Sequence, residues 1–406
     1  MLDITRHRLA RCYSLADLRL AARRRLPGAV FDYLDGGAED EVTLYRNSAG
    51  FAAYELLPRA LVDVSRVDLQ TTVLGQAVAW PVMLSPTGLS RLFHHEGEKA
   101  VVRAAARAGT IYTLSSVASY DIETIAAAAD GPKWFQIYVW KDRAVVRDFI
   151  QRCRATGYQA LCLTVDVPVL GQRERDLRNG MTMPPRLTLA SIVDAALHPD
   201  WAWHYLTTPR PVLANVALLA GKGLDKLMTQ AQHANSQLDP SVTWDDLAWM
   251  VQEWGGPFAI KGILSATDAK RAVAAGVQAI IVSNHGGRQL DHTPVPIDVL
   301  PEIVAAVGDR AEVILDGGVR RGSDVVKALA LGARACMIGR GYLYGLGAGG
   351  EAGVNRALGL LRAEVQRTMQ LLGCTAVGDL NSSWLRPTAS RSRIDNADSC
   401  RHWEVL

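Results

Sequence analysis

Eight short runs of nearly consecutive apolar residues recur along the chain and alternate with longer, helix-like segments. The runs cover residues 82–85, 111–115, 134–139, 161–165, 258–261, 279–283, 312–316 and 335–338. This pattern is typical of parallel strands that are buried on both faces beneath a layer of helices. Helical patterns over 97–108, 142–156, 266–275 and 323–331 supply such a layer. Eight strand-helix units in one chain predict a (β/α)8 barrel, the TIM barrel fold of the α/β class.

An open, doubly wound sheet is the main alternative to the barrel. Such a sheet normally carries a GxGxxG dinucleotide site after its first strand, and none stands there. The sequence therefore favours the barrel. We expect a single domain over residues 1–380, with an N-terminal helical segment over 1–60 and a loosely attached polar tail over 381–406.

One connection is far longer than the others. About seventy residues, roughly 174–243, separate the fourth strand from Trp244, whereas strand-helix loops usually have about 2–6. Within this insertion the stretch LTLASIVDAALHPDWAWHYL predicts one helix with an exposed apolar side. That side either packs on the barrel or a neighbouring subunit, or docks at a membrane interface, for which Trp201, Trp203 and Tyr205 are suitable side chains.

The composition excludes several other classes of protein. A formal net charge of +3 argues against general nucleic-acid binding. The six cysteines are scattered and form no CxxC pair, so we expect reduced thiols in a cytoplasmic protein and no metal site. The N-terminus is too polar for a secretory signal, and no apolar run approaches the roughly 20 residues of a spanning helix. Peripheral attachment to the inner face of the cell membrane remains an alternative.

Polar residues and glycines collect where the predicted strands end, which is where TIM barrels place their chemistry. In chain order these are Pro86, Thr87 and Gly88; Ser115; Gln136 and Tyr138; Thr164 and Asp166; Lys261; Ser283, His285 and Arg288; Asp316 and Arg320; Gly339 and Arg340. We therefore expect them to meet at one end of the barrel.

The last two strands end in DGGVRRG and IGRG, which indicate a phosphate site. Turns at Gly317, Gly318 and Gly339 expose backbone N–H groups, and a following helix offers its positive end. Arg320 and Arg340 can then clamp a dianion.

The SNHGGRQLD run is the strongest catalytic signal. It places His285, a base that titrates near neutral pH, three residues before Arg288, which can hold a carboxylate through two hydrogen bonds. Asp166 at another strand end can orient the imidazole and stabilise its protonated form. Lys261 offers a positive charge beside a cofactor ring that accepts electrons.

Together these motifs resemble the FMN-dependent family that oxidises L-2-hydroxy acids, which includes glycolate oxidase, the flavin L-lactate dehydrogenases and mandelate dehydrogenase. The resemblance runs from about residue 26 to residue 373 and includes FDYLDGGAEDE and LTVD. It implies FMN as cofactor and a 2-hydroxy acid as substrate. It also implies oxidation of the acid to its 2-oxo acid, although the sequence does not choose between hydride transfer and a carbanion.

The resemblance also assigns roles to residues. It implies a cofactor set of Pro86, Thr87, Gly88, Ser115, Gln136, Thr164, Lys261, Ser283, Asp316, Gly317, Gly318, Arg320, Gly339 and Arg340. Around the substrate it implies Tyr33, Val117, Tyr138, Arg173 and Arg288, with Tyr33 and Arg288 on the carboxylate. His285 removes the proton, and Asp166 lies behind it.

Two departures narrow the expectation. Val117 stands where glycolate-oxidising members carry a bulky Trp, so lactate or an aryl acid such as mandelate fits better than glycolate. Gly88 stands where many oxidases have Ala, which favours a dehydrogenase.

The insertion is similar to that of membrane-associated members that pass electrons to quinone or a cytochrome, and the family implies a homotetramer. A soluble oxidase that makes H2O2 and an FMN-dependent isomerase are the alternatives.

Overall fold

The computed structural model describes residues 2–181, 188–217 and 236–388. Eight parallel strands form a closed barrel, which confirms the predicted fold. They are β4 to β11: Val82–Leu84, Tyr112–Ser115, Lys133–Ile137, Ala160–Thr164, Phe258–Ile263, Ala279–Val282, Glu312–Asp316 and Ala335–Ile338. Almost every strand residue is buried, because side chains on one face fill the barrel and those on the other face pack under the helices.

Helices surround the barrel and precede it. The N-terminal segment contains α1 to α4, which are Leu2–Ala10, Leu15–Arg25, Gly28–Asp35 and Val42–Ala49. The outer layer contains α5 (Gly97–Arg107), α6 (Ile122–Ala128), α7 (Arg143–Ala155), α12 (Trp244–Trp254), α13 (Ala266–Ala274), α14 (Pro296–Val307), α15 (Gly322–Ala330) and α16 (Arg340–Leu372). Between β7 and α12 the described part of the insertion forms α8 (Glu174–Arg178), α9 (Leu189–Ala196), α10 (Pro199–Thr207) and α11 (Ala214–Ala217).

A hairpin closes the end of the barrel where the strands begin. Strands β2 (Thr71–Val73) and β3 (Gln76–Val78) pair antiparallel, and Val73 and Val78 join the interior core that Trp134 and Met337 help to form. The backbone N–H of Leu74 donates to the Glu312 carboxylate at the start of β10 (2.9 Å). The hairpin therefore covers this end of the barrel and leaves the opposite end uncovered by it.

The predicted start of the loosely attached tail, residue 381, is too early in the chain. Residues 385–387 form β12 (Leu385–Pro387), which pairs antiparallel with β1 (Tyr54–Leu56). The ring of Trp384 is buried, and the guanidinium of Arg59 lies 3.6 Å from its centroid. An apolar anchor within a polar stretch thus attaches residues 381–388 to the domain, and residues 389–406 lie outside the described part.

The insertion contains two helices where the sequence predicted one. The break falls at His198–Pro199, because proline disfavours helical geometry in the residue before it. Neither α9 nor α10 has a buried residue, and several large apolar side chains are exposed: Leu189 (79%), Leu197 (72%), Trp203 (65%) and Leu206 (81%). Trp201 instead turns to the barrel, where its Nε1–H donates to the Leu92 carbonyl (2.7 Å). No described helix is both long enough and apolar enough to cross a bilayer.

Candidate active site

A cavity of about 230 Å³ opens at the ends of the barrel strands. Most of the predicted site residues line it: Tyr33, Pro86, Thr87, Gly88, Val117, Tyr138, Arg173, Lys261, His285, Arg288, Asp316, Gly317, Gly318, Arg320, Gly339 and Arg340. The other five, Ser115, Gln136, Thr164, Asp166 and Ser283, are not in its lining. The contacts of these five residues show how they support it.

His285 and Asp166 form a hydrogen-bonded pair at the cavity. His285 Nδ1 lies 2.8 Å from Asp166 Oδ1, and since a carboxylate only accepts, Nδ1 carries the proton and Nε2 keeps its lone pair. Burial lowers the pKa of His285, whereas the charge of Asp166 opposes this shift. The imidazole is therefore in its basic form at neutral pH.

The backbone at His285 is held in an unusual conformation. Its φ is 58°, which for a residue with a side chain is worth about 1–2 kcal/mol of strain. The backbone N–H donates to Ser283 Oγ (3.0 Å), and Gly286 and Gly287 follow with φ of 66° and 72°. The strain is consistent with a residue placed for chemistry.

An anion-binding corner faces this pair. The guanidinium carbons of Arg288 and Arg173 lie 5.3 Å and 5.9 Å from the centroid of the Tyr33 ring. Burial and the neighbouring charges of Arg173 and Arg340 lower the pKa of Arg288 to about 9. Arg288 Nη1 donates to the Tyr33 and Gly36 carbonyls, which fixes the guanidinium in place. Buried cations that lower one another's pKa favour an anionic ligand such as a carboxylate.

A second charged group lies deeper in the barrel. Lys261 Nζ is 2.8 Å from Asp316 Oδ2 and donates to Ser283 Oγ (2.8 Å). Asp316 also accepts from Ser283 and from Ser85, both at 2.7 Å. Although burial favours the neutral amine, the carboxylate of Asp316 raises the pKa of Lys261, so its positive charge is retained. The sequence did not single out Ser85, since it reads as an ordinary strand residue.

The predicted phosphate region is built differently from the expectation. The backbone N–H groups of Arg320 and Arg321 donate to Asp324, and that of Gly322 donates to Glu364. The start of α15 is therefore already capped by acidic side chains and does not offer its positive end. The groups that remain for a phosphate are the side chains of Arg320 and Arg340 and the backbone of two turns. These turns are at Gly317–Gly318 and at Gly339, where α16 begins.

Glycine is required at Gly318. Its φ is 79°, and a Cβ there would lie 1.9 Å from the carbonyl oxygen of Asn47. The close approach of this turn to α4 therefore fixes the shape of the predicted phosphate region.

Unpaired buried atoms give a test of whether FMN fits. Gln136 Nε2, Thr164 Oγ1, Arg173 Nε and Arg340 Nε are buried without a hydrogen-bond partner among the described residues. Ser115 Oγ donates to Gln136 Oε1 (2.8 Å), which leaves the amide nitrogen free to donate elsewhere. Buried polar groups in proteins are nearly always satisfied, so these donors and cations call for a polar, anionic group. An isoalloxazine ring with its carbonyls and a phosphate has the chemistry they require.

The outer wall of the cavity is apolar. Val117, Trp140 and Phe93 line it, together with Leu213 and Leu238 from the insertion. A Cβ on Gly88 would lie 2.8 Å from Val117 Cγ2, so these two positions constrain each other. Sequence reasoning identified Val117 and missed the other wall residues, because no local pattern marks a leucine in a long insertion as part of a distant cavity.

Comparisons with known proteins agree with this geometry. A family model described as FMN-dependent dehydrogenase matches residues 22–387. A putative L-lactate dehydrogenase of Mycobacterium tuberculosis is 46% identical over 93% of this chain and 90% of its own length. An L-lactate oxidase of Nostoc sp. is 45% identical over 92% of this chain and 97% of its own.

A crystal structure described as the monotopic membrane protein (S)-mandelate dehydrogenase superposes with a TM-score of 0.90. It is 41% identical and covers 93% of this chain and 100% of its own. Since the family match spans nearly the whole chain and the cavity supplies what its cofactor requires, the chain belongs to the FMN-dependent dehydrogenases, as an oxidoreductase of the 2-hydroxy acid type.

Proposed function

We propose that this enzyme oxidises an L-2-hydroxy acid with an apolar side chain, mandelate in preference to lactate, and passes the electrons to quinone or a cytochrome. The observation that carries the proposal is the His285–Asp166 pair beside the Arg288–Tyr33–Arg173 corner within one cavity. The apolar wall of Val117, Trp140 and its neighbours supports an aryl side chain.

In this proposal the cations bind and orient the substrate carboxylate. Arg288 takes the carboxylate with the Tyr33 side chain, and Arg173 adds a second positive charge. Holding the reacting carbon fixed beside the base converts a bimolecular encounter into an oriented one, which is worth several kcal/mol. Exclusion of water by the apolar wall strengthens each of these charge interactions.

His285 Nε2 then receives a proton from the substrate. Asp166 stabilises the imidazolium that results, because the carboxylate lies at hydrogen-bond distance from Nδ1. Burial raises the pKa of Tyr138, so its hydroxyl stays protonated and acts as a neutral hydrogen-bonding group toward the substrate. The same base serves whether the hydroxyl proton or the Cα proton is removed.

The cofactor site follows from the same residues. When bound, FMN supplies the acceptor for the two electrons that leave the substrate. Arg320 and Arg340 would hold its phosphate, and Gln136 and Thr164 would donate to or accept from the ring. Pro86, Thr87 and Gly88 would lie against the ring, with Ser115 and Ser283 as supports. Lys261, kept charged by Asp316, would balance negative charge on the ring.

Anaerobic mixing with substrate tests this proposal directly. The purified yellow protein is mixed with L-mandelate and, separately, with L-lactate, and the flavin band near about 450 nm is followed. We expect faster bleaching by L-mandelate. Bleaching by lactate alone would overturn the substrate assignment, and bleaching by neither acid would overturn the function. Oxygen consumption at the rate of substrate oxidation would instead favour the soluble oxidase.

The same proposal places the enzyme at a membrane surface. Leu189, Leu197 and Leu206 on the insertion are large apolar side chains exposed to solvent, and the relative with a TM-score of 0.90 is described as monotopic. Sedimentation with vesicles of anionic and zwitterionic phospholipid tests this placement. The double variant Leu189→Ser with Leu206→Ser should no longer bind the vesicles. Leu371→Ser is the control, because Leu371 is also exposed (74%) but lies on α16, and it should leave binding unchanged.

The family relationship also leads us to propose a homotetramer. Light scattering of the purified protein checks this assembly, and a monomer at all concentrations would contradict it.

A further inference from the structure

Three histidines meet where the insertion touches the barrel, outside the candidate active site. The rings of His95 and His204 are stacked, with centroids 4.0 Å apart and planes inclined by 17°. His94 lies 4.3 Å from His95 and 6.4 Å from His204 by the same measure. His204 belongs to α10, whereas His94 and His95 belong to the segment that precedes α5 on the barrel. The cluster therefore joins two elements that are distant in sequence.

The surroundings of the cluster favour uncharged rings. Arg25 and Arg91 line the same small cavity. Glu96 is engaged by Arg103 (2.6 Å), and Asp200 lies 4.0 Å from Arg25. His95 Nδ1 is buried with no hydrogen-bond partner among the described residues, so a proton on both ring nitrogens would leave an N–H without an acceptor.

His94 is held as a neutral acceptor. Its Nδ1 accepts from the backbone N–H of Glu96 (3.3 Å) and lies 3.9 Å from the Glu96 carboxylate. Its ring packs against Gly350, where the backbone of α16 is not helical. Burial and the charge of Arg25 lower the pKa of His94 far below the usual range. Burial and His204 lower the pKa of His95, whereas the charge of Glu96 opposes this shift. Both rings are therefore neutral while the cluster is packed.

A metal ion shared by the stacked pair is a poor explanation for its geometry. Nitrogen lone pairs lie in the plane of an imidazole ring, so the nearly parallel rings of His95 and His204, 4.0 Å apart, cannot point at one ion. The ligand atoms of His94, His95 and Glu96 do lie within 4.8 Å of one another, but Arg103 already pairs with the Glu96 carboxylate (2.6 Å). The neighbouring arginines also disfavour a cation.

Helix α10 has no buried residue. Besides the stack, its contacts with the rest of the domain include the Trp201–Leu92 hydrogen bond, the packing of Trp201 on the core and the pair of Asp200 with Arg25. Just past the end of the helix, Arg91 donates to the carbonyls of Pro209 and Arg210. Segments with little buried apolar surface open at a low free energy. A change in charge at the stack therefore acts on a helix that has little buried apolar surface to hold it in place.

The barrel side of the cluster continues to the substrate corner. Phe93, which precedes His94, lines both the small cavity and the candidate active site. Its ring stacks on Tyr33 with centroids 6.2 Å apart, and Tyr33 carries Arg288 and Arg173 on its face. A movement of the segment 93–95 is therefore transmitted to the corner by direct contacts.

We propose that the stacked pair His95–His204 is a pH-sensitive latch that holds α10 on the barrel and, through Phe93, keeps Tyr33 in position. The second part rests on the proposed role of Tyr33 in substrate binding. Because burial keeps packed His95 neutral and a released imidazole titrates at about pH 6.5, the released state binds more protons as the pH falls below that value. The latch is closed at neutral pH and opens in acid.

Hydrogen exchange on the FMN-loaded enzyme tests the latch. Protection of the α10 amides, corrected for intrinsic rates, should fall about tenfold between pH 7.5 and 5.5 for each histidine that gains a proton on release. His95→Phe combined with His204→Phe keeps the stacked rings without a titrating group and should remain protected at both pH values. His198→Gln is the control, because this histidine directly precedes α10 and contacts Asp194 but lies outside the stack. This variant should still lose protection in acid, as the wild type does.

The result is decisive in either direction. Unchanged protection in the wild type, or an equal loss in the double phenylalanine variant, overturns the latch. For the link to Tyr33, the KM for L-mandelate should rise more steeply in acid for the wild type than for the double variant. An identical KM profile overturns that link. An enzyme whose flavin no 2-hydroxy acid reduces would refute the proposed function and leave the exchange result standing.

Discussion

Replacing Asp166 by asparagine isolates the charge behind the candidate base. In the native protein His285 Nδ1 lies 2.8 Å from Asp166 Oδ1, and the amide oxygen of asparagine can accept the same hydrogen bond. The amide nitrogen takes the place of Oδ2, which has no partner among the described residues. Shape and tautomer are thus kept while the charge is lost. A hydrogen bond to a charged group exceeds a neutral one by about 1–2 kcal/mol, so kcat/KM should fall roughly 5- to 30-fold.

The pH profile gives the second arm of this prediction. Burial lowers the pKa of His285, and Asp166 raises it. Without the carboxylate that pKa falls further, so the acid limb of kcat/KM should move to lower pH while the plateau drops. Stopped-flow reduction of the flavin by L-mandelate from pH 5 to 9 measures both. Asp148→Asn, which removes an exposed carboxylate on α7, is the control. A limb that moves to higher pH would refute the reasoning.

Three further changes test other parts of the site. Arg288→Lys removes the two-pronged contact with the carboxylate and should raise the Kd for L-mandelate by about 10- to 100-fold, as read from flavin difference spectra. Val117→Trp fills the apolar wall and should lower the kcat/KM ratio of mandelate to glycolate; an unchanged ratio would place the side chain elsewhere. Gly318→Ala, whose Cβ would lie 1.9 Å from the Asn47 carbonyl, should unfold at much lower denaturant concentration than Gly75→Ala. At Gly75 φ is 74° but no atom lies within 4 Å, so the strain is only about 1–2 kcal/mol. Equal loss in the two variants would contradict the packing argument.

The barrel was predictable because its signal is local. A strand buried on both faces must be apolar at successive positions, and the polar residues that follow mark its end, so β4 to β11 agree with the predicted runs to within two residues. His285, Arg288 and Lys261 are brought to one cavity by that topology alone. The break before Pro199 had a signal, the proline itself, that the apolar periodicity concealed.

Other features depend on contacts between distant segments and have no local signature. Glu364 reaches the start of α15 from α16, and this contact removes the helix end from the predicted phosphate site. Leu213 and Leu238 meet the cavity only after the insertion has folded over it. The attachment of β12 required recognising Trp384 as an anchor within a polar stretch.

The hairpin of β2 and β3 has a kinetic consequence. It covers the barrel where the strands begin, and the cavity formed by the described residues opens at the other end. Under the proposed function the acid and a bulky electron acceptor would therefore share that mouth, and the 2-oxo acid would have to leave before the acceptor arrives. Steady-state turnover should therefore be ping-pong, with parallel double-reciprocal lines when both substrates are varied. High concentrations of the hydroxy acid should inhibit by occupying the mouth of the reduced enzyme.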